Sequence, residues 1–282
     1  MTGRLVLIST PIGNLGDLAP RAVETLRACA LICCEDTRHS GKLFSHAGIG
    51  GVRLAVANEH TEDARAHEVL ALLAAGSDVA VVTDAGTPGI SDPGARLVRA
   101  AVDAGFVVSA VPGPAALVMA LVISGFDTTR FVFEGFLPRT GKDRTQRITE
   151  MVDERRTIVL YEAPHRVQRT VGDLLAACGP DRHIALAREL TKLHEETWRG
   201  ALADAAIHVA AHAPRGEYVL VVEGASAAAA ATDDAIIGAL QMALAGGADR
   251  RTAIATVTAA TTASKRRVYD LALTIPRSDE SS

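Results

Sequence analysis

Short apolar runs alternate with longer amphipathic segments along most of the chain. The runs are rich in Val, Ile and Leu and are bounded by glycine, proline or polar residues, as expected for buried strands. They predict strands at residues 4–9, 31–34, 52–57, 79–82 and 107–111. The intervening segments predict helices at residues 18–28, 40–47, 61–75, 94–104 and 115–124. This alternation is typical of α/β layers with a largely parallel sheet.

A second series of the same kind follows residue 125. It predicts strands near residues 131–134, 157–161, 183–187 and 218–222, with helices near 142–154, 164–177 and 201–211. Three short helical patterns come last, at residues 233–245, 251–259 and 265–273. We therefore expect an N-terminal α/β domain (1–125), a second α/β domain (126–224), a linker (225–231) and a helical appendage with helix-turn-helix character (232–282).

Composition narrows the class of protein. The chain has 282 residues, of which 48% are hydrophobic, and a formal net charge of −4. Its apolar stretches are shorter than the roughly 20 residues that a membrane span needs, and Pro11 and Gly13 interrupt the first one, unlike a signal peptide. The four cysteines lack Cys-x-x-Cys spacing, so we expect reduced thiols in a cytoplasmic protein and no metal site. The net negative charge confines any nucleic-acid contact to local basic patches.

Three loops rich in glycine and proline follow predicted strands of the first domain. They are TPIGNLGD at residues 10–17, TDAGTPGISDPG at 83–94 and VPGPAA at 111–116. Because α/β sheets bind ligands at the carboxyl ends of their strands, we expect these loops to form one binding site. The spacing of the glycines matches neither the dinucleotide fingerprint nor the P-loop, which argues against both kinds of site.

These loops, together with the motifs CEDTRHS, FEGFLPR, YEAPHR, ARELTKLHEE and GEYVLVVEG, resemble the tetrapyrrole methylase superfamily. Within it, the chain is similar to the ribosomal RNA small subunit methyltransferase I family, from about residue 4 to residue 224. The resemblance implies two α/β/α domains with S-adenosylmethionine in the cleft between them, and a homodimer. It implies cofactor contacts from Pro11, Ala85, Gly86, Thr87, Ile90, Ala115, Ala116, Glu162, Leu190 and Thr191.

The resemblance also implies a reaction, the 2′-O-methylation of a cytidine of small-subunit ribosomal RNA near the decoding centre. A ribose hydroxyl is a poor nucleophile until a base takes its proton. Asp36 stands where related tetrapyrrole methylases carry a base-like Asp, so we expect it to act as the base or to orient the acceptor, with Arg38 on a phosphate. A structural Asp36–Arg38 pair that holds the loop is the alternative, and Asp84 and Glu195 are the alternate bases.

A basic stretch, RTGKDRTQR at residues 139–147, supplies the candidate RNA contacts. We expect Arg139, Lys142, Arg144 and Arg147 to follow the phosphate backbone, with Arg166 extending the patch; a solvated helix face is the alternative. Such cations position RNA without selecting its sequence. Two other functions stay open, which are methylation of a tetrapyrrole with the same cofactor and non-catalytic binding during ribosome assembly. The low aromatic content of 4% weighs against a tetrapyrrole substrate.

Overall fold

The computed structural model describes residues 2–58, 60–226, 231–261 and 263–276. The chain divides into two units, Met1–Gly224 and Ala225–Ser282. Among the described residues, the first half of the first unit contains five strands, five α-helices and a short 3₁₀ helix, Leu15–Asp17. Its strands and helices alternate in the order β1 (Arg4–Ile8), α1 (Pro20–Ala28), β2 (Leu31–Cys34), α2 (Thr37–His46), β3 (Arg53–Val56), α3 (Glu62–Ala74), β4 (Val79–Val81), α4 (Ala95–Asp103), β5 (Val107–Val111) and α5 (Ala116–Ser124).

The first sheet has the order β3-β2-β4-β1-β5, and every neighbouring pair is parallel. Successive side chains of a strand point to opposite faces, so the sheet buries two separate cores. Val6 and Ile8 pack with α1 and α2 on one face, whereas Leu5 and Leu31 pack with α3 and α4 on the other. The predicted parallel α/β layer is therefore confirmed for this half.

The second half of the first unit contains a sheet that differs from the prediction. Its elements are β6 (Phe131–Phe136), α6 (Gly141–Val152), β7 (Thr157–Glu162), α7 (Pro164–Cys178), β8 (His183–Arg188), β9 (Glu196–Ala201), α8 (Leu202–Ala211) and β10 (Tyr218–Val222). The strand order is β6-β7-β10-β8-β9, and only β6 and β7 pair in parallel. The expectation of a largely parallel sheet is wrong here, because β10 inserts antiparallel between β7 and β8 and β9 returns along β8.

Strand β9 is absent from the sequence-based prediction. It lies at the edge of the second sheet, and its residues are half-buried or exposed, so no run of buried side chains marks it. Gly200 packs under the Trp198 ring, where a Cβ would lie 2.6 Å from a ring carbon. An edge strand with two charged residues and a glycine does not have the sequence pattern of a buried strand.

Helix α5 joins the two halves of the first unit. Leu117 and Leu121 of α5 pack against Val159 of β7 and Val219 and Val221 of β10. The opposite face of the second sheet packs on α6, α7 and α8. The second sheet is therefore sandwiched between its own helices and the last helix of the preceding half, and the division at residue 125 stays a prediction.

The second unit has a core of its own. It contains α9 (Asp233–Ala245), α10 (Arg250–Ala260) and α11 (Lys265–Leu273), which agree with the three predicted helices. Ile236, Ile254 and Val268 are buried in this core. Asp249 and Ser264 cap α10 and α11 through their side-chain oxygens. Residues 227–230 of the predicted linker lie outside the described residues.

Candidate functional site

Three loops meet at the carboxyl edge of the first sheet. They follow β4, β1 and β5, which are neighbours in the strand order. The Thr10 N–H donates to the Gly86 carbonyl at 2.9 Å, and the Gly86 N–H donates to the Thr10 carbonyl at 3.1 Å. Gly86 has φ of +88°, in the left-handed region that glycine adopts without strain. The predicted convergence of the loops is therefore confirmed.

One hydroxyl group connects all three loops. The Thr87 hydroxyl donates to the Pro114 carbonyl at 3.1 Å. The Thr87 oxygen also lies 3.0 Å from the Ser9 hydroxyl. Because the Thr87 proton is used at Pro114, the Ser9 hydroxyl is the donor of this second hydrogen bond. Gly113 approaches Ser9 so closely that a Cβ at this position would lie 2.9 Å from the Ser9 Cβ. These contacts hold the loops at fixed distances from one another.

The second half of the first unit closes the site from the other side. The Leu117 N–H at the start of α5 donates to the Tyr161 hydroxyl of β7 at 3.2 Å. The Asn14 N–H donates to the Thr191 hydroxyl at 3.1 Å, which joins the loop after β1 to the loop between β8 and β9. Tyr161 also makes an edge contact with Phe133, with ring centroids 4.9 Å apart. Both sheets therefore contribute to one cavity.

The cavity has a volume of about 500 Å³. This lies within the range of roughly 300–1,000 Å³ that is usual for small-molecule sites. Two of the ten residues predicted to contact the cofactor, Pro11 and Thr191, do not line it. Pro11 is buried, and the Thr191 hydroxyl accepts from the Asn14 N–H. The eight that line it are Ala85, Gly86, Thr87, Ile90, Ala115, Ala116, Glu162 and Leu190. Their contact with the cofactor stays a prediction.

Glu162 is a buried carboxylate, and both of its oxygens have partners within the protein. Its side chain accepts hydrogen bonds from the Thr170 hydroxyl at 2.6 Å and from the Ala163 N–H at 3.0 Å. The Arg166 guanidinium lies 3.1 Å from the same carboxylate. Such a group holds the turn between β7 and α7 in place, and it contributes a wall to the cavity rather than a free acceptor.

Asp36 is placed as the N-cap of α2 and does not line the cavity. Its carboxylate accepts from the Arg38 N–H at 2.8 Å and from the Arg38 guanidinium at 2.9 Å. These hydrogen bonds hold the pKa of Asp36 at about 2, which makes it a weak base. The geometry favours the structural Asp36–Arg38 pair over the catalytic role. The alternate base Glu195 is also engaged, because it accepts from the Thr191 N–H at 2.6 Å.

The cavity brings together carboxylates that sequence reasoning did not select as a group. Asp84 and Asp92 belong to the loop after β4, Glu35 follows β2, and Glu217 precedes β10. Burial, followed by the charges of Glu35, Asp84 and Glu217, raises the pKa of Asp92 to about 7. The Oδ1 atom of Asp84 is buried and has no hydrogen-bond partner among the described residues. The motif TDAGTPGISDPG signalled both aspartates, but not their burial.

The cationic side chains of the basic stretch and of Arg166 lie in different environments, some buried or paired and others exposed. The geometry disfavours the predicted RNA contact of Arg144, because its side chain is 4% exposed and donates to Asp173 at 2.8 Å and to the Thr170 hydroxyl at 2.9 Å. Arg147 pairs with Glu134, and Arg166 is paired with Glu162 as described above. Arg139 and Lys142 are exposed.

Two other sequence expectations concern metals and membranes. Within the described part of the chain, no group of three His, Cys, Asp or Glu side chains is arranged to hold a metal ion. Among the same residues, no helix combines the length and the apolarity needed to cross a membrane. Cys29, Cys33 and Cys34 are buried in the first sheet's cores, and burial raises the pKa of Cys33 to about 12.

Comparison with known proteins identifies the family. The sequence-family model of the Tetrapyrrole (Corrin/Porphyrin) Methylases matches residues 4–206 of this chain. The "Ribosomal RNA small subunit methyltransferase I" of Synechocystis sp. is 50% identical over 224 residues, which cover 79% of this chain and 80% of the relative. The protein of the same name from Thermotoga maritima is 44% identical, over 79% of this chain and 99% of the relative.

A solved structure shows the same fold at low identity. The methyltransferase CobJ aligns with a TM-score of 0.60 and 20% identity, over 80% of this chain and 95% of that chain. This likeness concerns the fold alone. The chain belongs to the tetrapyrrole methylase family and, within it, to the ribosomal RNA small subunit methyltransferase I family.

Proposed function

We propose that this chain transfers a methyl group from S-adenosylmethionine to the ribose 2′-hydroxyl of a cytidine in small-subunit ribosomal RNA, near the decoding centre and within the assembled subunit. The single observation that carries the substrate is the 50% identity to a relative named for this class of reaction. The proposal places the protein in the cytoplasm, with its substrate. The cavity between the two sheets supports a bound methyl donor.

The residues of the cavity suit S-adenosylmethionine. Ala85, Ala115 and Ala116 give walls with little side chain, so a planar adenine can approach the backbone. The buried Oδ1 of Asp84 lacks a partner among the described residues and can accept a hydrogen bond from an ammonium or a ribose hydroxyl. The bound cofactor supplies an electrophilic methyl group. The chain's own part is to hold that group in line with the acceptor oxygen.

A substitution at Gly86 tests the cofactor site. Gly86→Val puts a β-branched side chain at φ of +88°, with its Cβ 3.4 Å from Ile12, and we expect at least tenfold weaker cofactor binding by calorimetry. Gly105→Val is the matched control, since Gly105 has φ of +78° but open space around it and lies outside the cavity. Equal affinity in both variants would remove the loop after β4 from the site.

The proposed RNA contacts are the exposed cations near the cavity. Arg139 and Lys142 carry this part of the proposal, because neither has a side-chain ion pair among the described residues. Arg38 is 89% exposed beside Asp36 and can reach a phosphate without losing its partner. Arg147 could join them only by giving up Glu134. Contacts of this kind hold the backbone and leave selection of the nucleotide to the shape of the subunit.

We also propose a second copy of this chain as a partner. Helix α5 is apolar on all sides, and Val118, Met119 and Val122 are exposed on it. A helix of this composition is normally covered on every face. We expect twice the mass of one chain in sedimentation equilibrium, and a monomer for Val122→Asp. A monomeric wild-type protein would contradict this part of the proposal.

The experiment that tests the function uses labelled S-adenosylmethionine with three acceptors in parallel. These are purified small ribosomal subunits, naked ribosomal RNA and a tetrapyrrole precursor. We expect label in the RNA of intact subunits, at a ribose that resists alkaline cleavage. Label in the tetrapyrrole alone would overturn the RNA assignment. Subunit binding without methyl transfer to any acceptor would support a non-catalytic assembly factor.

A further inference from the structure

We propose that Asp92 is the group that takes the proton from the ribose 2′-hydroxyl as the methyl group is transferred. This inference rests on the function proposed above and assigns its general base. Asp92 was not among the residues that the sequence motifs selected for this role. The argument begins with the position of its side chain.

Asp92 is held at the cavity wall by a tightly constrained loop. The Gly89 N–H donates to the Pro93 carbonyl at 3.0 Å, which closes the loop around it. Ser91, directly before Asp92, has φ of +60°, a strained conformation for a residue with a side chain. The loop also packs on β6, since a Cβ on Gly135 would lie 3.1 Å from the Ser91 hydroxyl. The position of Asp92 is therefore built into the fold.

The Asp92 carboxylate is available for a proton. Among the described residues its side chain makes no hydrogen bond and no ion pair. Two carboxylates described above differ from Asp92, because each already has partners within the protein. Both oxygens of Glu162 have partners in Thr170, Ala163 and Arg166, and Asp36 is paired with Arg38. A base must have a free lone pair at the site of reaction, and the Asp92 carboxylate lies at the cavity wall with no partner among the described residues.

The surroundings tune Asp92 for proton transfer. The ionisable groups that face it are Glu35, Asp84, Glu217 and the Tyr161 phenol. Burial and the three carboxylates together raise the pKa of Asp92 to about 7. A carboxylate with a pKa near the working pH is present in its basic form and still binds a proton strongly. An ordinary surface Asp, with a pKa of about 3.9, lacks these surroundings and is a far weaker base.

The proposed step is balanced in atoms and electrons. A lone pair of the ribose O2′ forms the new C–O bond to the methyl carbon, and the C–S bond breaks with its electron pair going to sulfur. The sulfonium becomes a neutral thioether, S-adenosylhomocysteine. The hydroxyl proton passes to Asp92, which becomes a neutral carboxylic acid and later releases the proton to water. The negative charge of Asp92 and the positive charge of sulfur are thus lost in the same step.

The test compares Asp92→Asn with Asp103→Asn, an exposed control at the far end of α4. We expect Asp92→Asn to slow single-turnover methyl transfer to small subunits by about 10²–10⁴-fold. We expect its cofactor affinity by calorimetry and its subunit affinity to stay within threefold of wild type. The wild-type rate should rise tenfold per pH unit below pH 7 and then level off, and the residual rate of Asp92→Asn should lack this profile.

A second readout does not depend on activity. The carbon-13 resonance of the Asp92 carboxyl, assigned by its loss in Asp92→Asn, should titrate with a midpoint near pH 7 in the protein without ligands. A midpoint below pH 5, or an Asp92→Asn rate within threefold of wild type, overturns the inference alone. A wild-type protein that methylates no ribose overturns the proposed function and the inference with it.

Discussion

Glu62 provides the sharpest test of how the cavity loop is held. Although it is the first residue of α3, its side chain is 3% exposed and reaches the start of α4. Its Oε1 atom accepts from the Gly94 N–H at 3.0 Å and from the Leu97 N–H at 2.9 Å. Gly94 is the N-cap of α4 and has no side chain to make such a bond, so Glu62 caps α4 from another helix.

The magnitude follows from these two hydrogen bonds. Glu62→Ala would leave two buried backbone N–H groups without an acceptor, at about 1–3 kcal/mol each. It would also remove a negative charge from the N-terminus of α4, worth about 0.3–1 kcal/mol. Relaxation and water entry recover part of this sum, so we expect the free energy of unfolding to fall by about 3 kcal/mol. Glu62→Gln keeps an acceptor oxygen, and we expect a loss of about 1–2 kcal/mol.

Urea denaturation followed by circular dichroism measures both losses. Hydrogen exchange of the α4 amides should report faster local opening, because the cap acts on that helix. Asp63→Ala is the control, since its ion pair with Arg96 is 73% and 55% exposed and should be worth less than about 1 kcal/mol. If Glu62→Ala cost no more than Asp63→Ala, the capping argument would be refuted.

Three further predictions concern charge. Arg144→Ala should lower the free energy of unfolding by about 2–3 kcal/mol in urea denaturation, because it removes a buried guanidinium together with its hydrogen bonds and its packing. It should leave the salt dependence of subunit binding unchanged, and a weaker dependence would return Arg144 to the RNA surface. The double variant Arg139→Ala, Lys142→Ala should reduce the slope of log K against log salt by about 1.5 in a binding titration, and an unchanged slope would identify a solvated face. For Asp92, the pKa rises from the ordinary 3.8 to about 7 on folding. The folded state therefore keeps a proton that the unfolded chain has lost between these pH values, and wild-type stability falls as pH rises through that window. Asp92→Asn should remove this loss and be more stable than wild type above pH 7 by about 2 kcal/mol, half of the full linkage because water reaches the cavity. Parallel pH dependences of the two proteins in chemical denaturation would contradict the shift.

The sequence predicted the first sheet well because its strands are short apolar runs bounded by glycine, proline or polar residues. Leu31–Cys34 and Val107–Val111 agree with the structure at both ends. The second sheet was harder, since strand direction depends on pairing between distant segments and not on local pattern. Glu196–Ala201 was missed because this edge strand has neither an apolar run nor a clean alternation of apolar and polar residues.

The site was predictable in its loops but not in the state of its ionisable groups. Glycine and proline at 83–94 reveal where the backbone must turn, and the turn lies at the cavity. Burial and hydrogen-bond partners decide the state of the ionisable groups, and neither is visible in the sequence. Arg144 and Lys142 are two residues apart on one helix, yet one side chain is buried against α7 and the other is exposed. Asp36 and Asp92 are the same type of residue in the sequence. Their neighbours in the structure give Asp36 a pKa of about 2 and Asp92 a pKa of about 7.

The packing of α5 sets where the chain can be cut. In chain order α5 ends the first half, but Leu117 and Leu121 cover Val159 and Val221 of the second sheet. A fragment beginning at residue 126 would leave that sheet face open to water and prone to aggregation. A fragment that includes α5 would keep the face covered. Evolutionary or engineered exchange of the two halves would therefore need its crossover before α5, within the loop that also forms a wall of the cavity.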